Sequence, residues 1–212
     1  MSIEQSVAPS IGARLRQLRL AQGRSLASVA QAVGISSSAL SQIETGAMQP
    51  SVNRLIEIVG EVGVPVSAIF DDYDVLHPKA APAGSTEPIP GVRVTSSAVE
   101  AGEGATLEQG VVYRRLSPVG LDGIDLFESV YPPGASSSVD GAMLVHSGYE
   151  VGSILRGRLR FEFTEGSVDL GAGDSLAFWA TRPHRVVNES TDAVASAIWL
   201  TLRDLREPVD EA

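Results

Sequence analysis

The feature that most constrains this chain is a change of hydrophobic period across a proline-rich stretch. Residues 71–90 read DDYDVLHPKAAPAGSTEPIP, with prolines at 78, 82, 88 and 90 and no apolar repeat able to bury a face. Before this stretch apolar residues recur at intervals of three and four; after it, short runs rich in Val, Phe, Leu and Tyr alternate with Gly, Pro and Asp clusters. A helix-period segment does not settle as a strand, nor the reverse. The pattern therefore predicts a multidomain chain: an all-α head over 8–70, a linker over 71–90, and an all-β body over 91–206. A length of 212 residues suits two small domains.

Composition narrows the function classes. At 43% hydrophobic and 20% charged residues the chain has enough apolar surface for real cores, which excludes wholesale disorder. No apolar run approaches the roughly 18 residues of a membrane span, and Met1 to Ser10 has neither a basic region nor an apolar stretch, so a cytoplasmic protein without membrane partners is expected. With no cysteine, disulfides, thiolate zinc sites and cysteine nucleophiles are excluded, and any metal must be held by carboxylates and the three histidines. The net charge of −10 argues against nucleic acid, yet residues 1–60 carry five arginines against three glutamates. The acidity lies downstream of the head.

In the head, Ile11, Leu15 and Leu18 mark a first helix from about Ser10 to Gln22. Ser25 is placed to cap a second, ended by Gly34, and Ser36 a third through Thr45 that leaves Ser37, Ser38, Ser41 and Gln42 outside. Ser51 caps a fourth helix expected to bury Val52, Leu55, Ile56 and Val59, and Pro65 starts a short fifth, 66–70. Two short helices joined by Val33-Gly34-Ile35-Ser36 have the layout of a helix-turn-helix. The ordered segments LRQLR, SLASVAQAVGISSSALSQIETG and PSVNRLIEIVGEV resemble the Xre/Cro-like family of five-helix DNA-binding domains, across about 60 residues. The resemblance implies that Ser36, Ser37, Ser38, Ser41 and Gln42 face bases and phosphates, and that Arg19 and Glu44 pair between helices 1 and 3. Gln42 is the side chain suited to a bidentate contact with adenine, and Arg24 and Ser37 are candidate phosphate contacts. The bland alternative is a helical interaction module whose serines are a solvated face.

In the body, strand-like runs fall at 107–116, 124–131, 142–146, 150–155, 158–164, 167–170, 175–179, 185–187 and 193–202, a number that suits a barrel or jelly roll. The polar signals gather in His146-Ser-Gly-Tyr-Glu150 with Gly157, and in Gly173-Asp174 with Pro183-His184 and Asn188. These resemble the two motifs of the cupin barrel. The resemblance implies a shared site at His146, Glu150 and His184, departing from the family pattern at Leu144, where a histidine is expected. Two imidazoles and one carboxylate suit zinc, nickel or iron as a divalent metal cofactor. The alternative is that His146 and His184 are hydrogen-bonded pocket residues with no metal. Tyr131 and Phe161 are the expected aromatic lining of an effector pocket. Arg156, Arg158 and Arg160 share one strand face, either outward in salt bridges or inward toward an anion.

A helix-turn-helix head followed by a cupin body resembles bacterial small-molecule-responsive transcription regulators. The expected function is a sequence-specific DNA-binding regulator, a homodimer on a double-stranded operator, whose cupin domain senses a small-molecule effector. The alternative is a metal-dependent cupin enzyme, a dioxygenase or isomerase, carrying the head for autoregulation.

Overall fold

A computed structural model describes residues 11–70, 92 and 104–205, so the expected linker lies outside the described residues. The head contains α1 (Ile11–Ala21), α2 (Leu26–Ala32), α3 (Ser37–Glu44) and α4 (Val52–Val62). The three expected serine caps are in place: the Oγ atoms of Ser25, Ser36 and Ser51 accept from the N–H groups of Ser28, Ala39 and Arg54 at 3.0, 3.1 and 3.2 Å. Gly34 turns α2 into α3 with φ +70°, a conformation that favours glycine. The expected fifth helix, Val66–Phe70, is a 3-10 turn instead, opened by an Ala68 N–H to Pro65 carbonyl bond. Five residues do not fill two α-helical turns, and the tighter turn satisfies the donors locally.

The body contains nine strands among the described residues: β1 (Ala105–Thr106), β2 (Val112–Arg115), β3 (Ile124–Tyr131), β4 (Tyr149–Arg156), β5 (Arg158–Phe163), β6 (Gly166–Gly171), β7 (Ser175–Trp179), β8 (His184–Val187) and β9 (Ala195–Leu202). They form a six-stranded sheet, order β1-β2-β3-β9-β4-β7, and a three-stranded sheet, order β6-β5-β8, antiparallel throughout. Alternation along β3 turns Asp125, Phe127, Ser129 and Tyr131 inward. They meet Trp199 of β9, whose indole N–H donates to Ser129 Oγ at 2.7 Å, while Leu159 and Phe161 of β5 close the core from the second sheet. Arg160 faces outward, bidentate to Asp169 and bonded to Glu189. Gly173 and Asp174 form a turn, with Asp174 Oδ2 accepting from Gly171 N–H at 2.8 Å.

Two expected strands are not realised as drawn, and both lie where the head meets the barrel. The run 107–116 is broken by a 3-10 turn at Glu108–Gly110, where the Glu108 N–H donates to the Pro50 carbonyl of the head at 3.0 Å. The run 142–146 forms one isolated bridge, Leu144 with His184, because the Ala142 carbonyl accepts from the Asn53 side chain at 3.0 Å rather than from a neighbouring strand. The head is docked on the body by further bonds: Asn53 N–H to Ser137 carbonyl at 3.0 Å, Ser67 N–H to Asp125 Oδ1 at 3.3 Å, and Arg115 to the Ser67 carbonyl at 3.3 Å.

Within the head, Arg19 and Glu44 form the pair implied by the family resemblance, Nε to Oε1 at 2.6 Å and Nη2 to Oε2 at 2.8 Å, each residue 6% exposed. Arg19 also donates to the Arg24 carbonyl, and its hydrogen bond with Glu44 raises its pKa against the opposing effect of burial. Such a bond ties α1 to the end of α3 and fixes how α3 is presented. Glu44→Ala is expected to strand a buried guanidinium and cost about 3–5 kcal/mol, whereas Arg19→Met with Glu44→Leu should cost less. Urea unfolding of the helical circular-dichroism signal checks this; equal midpoints for the two variants would refute it.

Candidate functional site

The site is assembled by three backbone segments. Leu144 and His184 exchange backbone hydrogen bonds at 2.8 and 3.0 Å, and the His146 N–H donates to the Ala180 carbonyl at 3.0 Å. His146 is thereby held beside His184, the first residue of β8, with ring centroids 5.5 Å apart. Glu150 is the second residue of β4, turned inward by the strand alternation.

Each imidazole is oriented through the nitrogen facing away from the carboxylate. His146 Nδ1 bonds the Ser147 carbonyl at 3.0 Å and His184 Nδ1 bonds the Arg182 carbonyl at 2.9 Å. A carbonyl can only accept, so Nδ1 carries the proton in both neutral rings and both Nε2 lone pairs remain available. His146 Nε2 is 3.0 Å from Glu150 Oε1 and His184 Nε2 is 3.9 Å from Oε2; one ligand atom from each residue lies within 4.8 Å of the others. His146 Nε2 is close to Glu150 without hydrogen-bond alignment and is a buried nitrogen with no hydrogen-bond partner. Two pre-oriented imidazole nitrogens beside a buried carboxylate are a donor set that suits a divalent cation, and Nδ1 held by a carbonyl is the usual support of a ligating histidine. The residues fit such an ion.

The electrostatics are those of a mutually dependent cluster. Burial disfavours a charged His146, but contact with the Glu150 carboxylate outweighs it and raises the pKa. His184 goes the other way, lowered by burial against the weaker pull of Glu150. Burial would raise Glu150, yet the neighbouring histidines hold its pKa below the ordinary value.

Tyr131 lines the cavity at this cluster, together with Tyr113, Leu144 and Trp199. Phe161 does not line it: the ring is fully buried behind Trp199, centroids 5.5 Å apart, because β5 carries it into the core between the sheets. Leu144, where the cupin pattern expects a histidine, points its apolar side chain into the same cavity. Asn188 is structural, its amide donating to the carbonyls of Tyr131, Pro132 and Ala193. A second cavity lies on the His146 side, bordered by Phe127, by Thr201 and by the ion pair of Asp125 with Arg203. Residues of the head border both cavities, Ile56 among them, which the sequence reading assigned to the head's own core. The available signal was the width of the apolar surface of α4, which spans more than one packing face.

On α3, Ser37, Ser38 and Gln42 are exposed and Ser41 is half-buried on the same outer side. Ser36 is exposed but its hydroxyl caps the helix. Arg24 is engaged by α4, donating to the Glu61 carbonyl at 2.8 Å and to the Glu61 carboxylate. Any phosphate contact by Arg24 must compete with that partner. Among the described residues no helix is long and apolar enough to cross a membrane.

Residues 10–66 match a helix-turn-helix domain family and residues 127–201 match a cupin domain family. The chain is 26% identical over 190 residues to the HTH-type transcriptional regulator PuuR of Escherichia coli (strain K12), covering 88% of this chain and 91% of that protein, and equally to PuuR of Shigella flexneri. An HTH_3 family transcriptional regulator from Vibrio cholerae has the same fold, with TM-score 0.64 at 21% identity, covering 93% of this chain and 97% of that one.

The floor of the cavity depends on the absence of a side chain at Gly152 of β4. A Cβ there would stand 2.8 Å from the Trp199 ring and 2.8 Å from Leu176. Gly152→Ala is expected to push Trp199 from its seat and to destabilise the barrel by about 1–3 kcal/mol. Near-ultraviolet circular dichroism with thermal unfolding checks this; an unchanged tryptophan signal and midpoint would contradict it.

Proposed function

We propose, from the premise that this chain is a helix-turn-helix transcription regulator with a C-terminal cupin domain, that its barrel holds a divalent metal at His146, Glu150 and His184 and senses a small molecule there. The observation that carries this reading is the convergence of His146, Glu150 and His184, one ligand atom from each within 4.8 Å of the others, with both Nε2 atoms turned toward one buried carboxylate. Two imidazoles and a carboxylate suit zinc, nickel or iron. When bound, such an ion supplies a Lewis-acidic anchor for an oxygen or nitrogen of the effector. The chain's own residues do the rest: the Ser147 and Arg182 carbonyls orient the rings, and Tyr113, Tyr131 and Trp199 supply the aromatic wall of the cavity. A regulatory rather than enzymatic role is supported by the relatives matched along 88% of the chain. The same relatives support a cytoplasmic location.

DNA recognition is assigned to the outer face of α3. Gln42 is the proposed base reader, with Ser37, Ser38 and Ser41 on phosphates or base edges. Ser36 contributes by capping the helix that carries them. A homodimer would set two α3 helices roughly 34 Å apart, one turn of DNA, on a pseudo-palindromic operator.

Two measurements test the reading. Native mass spectrometry with metal analysis should find about one metal per chain in the wild type and none in His184→Ala; a metal-free wild type purified and reloaded without uptake would overturn the metal assignment. In a binding-site selection, Gln42→Ala should relax preference at one position per half-site, at a cost of about 1–3 kcal/mol. An unchanged preference would remove Gln42 from base reading.

A further inference from the structure

We propose that α4 is the lid of the barrel cavity, with Ile56 as its plug, so that an occupant larger than a few waters enters only when the head lifts from the barrel. This rests on the reading of the cavity as the effector site and adds how occupancy reaches the DNA-binding helix.

The lid is visible in which residues enclose the site. Val52, Asn53 and Ile56 of α4 border the cavity that holds Glu150 and His184, and Ile56, Val59 and Gly60 border the one that holds His146. Ile56 borders both, facing Tyr113 and Glu150, which also border both. The spaces left beside the cluster are about 30 and 90 Å³. Small-molecule sites enclose roughly 300–1,000 Å³. With α4 seated, the cluster is open to water or an ion and closed to an organic effector.

The lid is held at its two ends. At the front, Asn53 is buried, and its backbone N–H and side-chain amide both donate to barrel carbonyls, those of Ser137 and Ala142, at 3.0 Å each. Behind the helix, Ser67 bonds Asp125, and Phe70 packs on Phe127 with ring centroids 5.7 Å apart. An asparagine on an otherwise apolar helix face is costly without partners, and both its partners belong to the barrel. Beside the docked face, a cleft of about 310 Å³ separates Ile35, Met48 and Arg54 from Val139 and Asp140. The seating is thus incomplete on that flank and has room to change.

Movement of α4 is transmitted without further parts. Leu55, Ile58, Val59 and Val62 of α4 pack with Leu15 and Val29 of α1 and α2, which in turn pack on Leu40 of α3, so the head moves as one body; the same buried core continues into Tyr113, Phe127 and Tyr131 of the barrel, and lifting the head must break that part of it. An effector that fills the cavity would displace Ile56 and with it reorient the helix proposed to read DNA. By linkage, a head held away from the barrel by its operator would admit the effector more readily.

The test uses the full chain carrying Trp179→Phe, which leaves Trp199, a wall of the cavity, as its tryptophan. Two lid variants, Ile56→Ala and Asn53→Ala, are compared with this parent in acrylamide quenching of Trp199 and in the rate at which bound zinc is lost to EDTA. The lid predicts that both variants raise the quenching constant several-fold and hasten zinc loss roughly tenfold, the scale of one lost buried contact, with far-ultraviolet circular dichroism unchanged. Quenching equal to the parent in both variants would overturn the lid, whether or not zinc binds. Increased quenching in chains that take up no zinc would sustain the lid and overturn the metal assignment instead.

Discussion

The apolar surface of α4 is wider than a four-helix head needs, and the structure spends that width on two partners. Leu55, Ile58, Val59 and Val62 face the other helices, while Val52 and Ile56 face the barrel. Burying one stripe alone would leave Ile56 and Asn53 to water; burying both joins the domains. The rest of the architecture follows from that seat. The Pro50 and Ser67 contacts flank α4, and the stretches of the expected strands that do not form, 107–110 of the run 107–116 and most of 142–146, include backbone groups bonded to the head. At these points a backbone group that a sheet would pair is bonded to the head instead: the Glu108 N–H to Pro50 and the Ala142 carbonyl to Asn53.

The cluster beneath α4 obeys a similar economy. Its histidines are held by backbone carbonyls, so their ring positions are properties of the chain path and not of any occupant. Leu144 replaces the residue that would add a third imidazole, and the same segment still performs its structural duty, pairing with His184 through the backbone. A side-chain change in the ligand set therefore leaves the presentation of the remaining ligands intact. The opposite pKa directions of His146 and His184 follow from position: His146 is nearer the carboxylate, and His184 is set more deeply for its distance from it.

Local physics made several elements legible in advance. The three serine caps, the Gly34 turn and the strands Ile124–Tyr131 and Ser175–Trp179 depend on neighbouring residues, and the sequence positions them correctly. The outward setting of Arg160 was undetermined until Asp169 and Glu189 could be seen beside it, because alternation tells which residues share a face and not which face is inside. Phe161 illustrates the same limit. It is aromatic, inward and in the barrel, yet Trp199 stands between it and the cavity.

What the sequence by itself determined is therefore everything governed by period, caps and fixed motif spacing: an α head, a β body, the polar row on α3 and the residues of the His146, Glu150 and His184 cluster. Tertiary structure decided how those parts are used. It engaged Arg24 with Glu61, set Phe161 behind Trp199 and seated Ile56 over the cluster. The reason is that each of these outcomes depends on contacts between residues far apart in the chain. A sequence records the apolar surplus of α4 as a stripe too wide for its own domain; the surface that covers it is formed only when the barrel has closed.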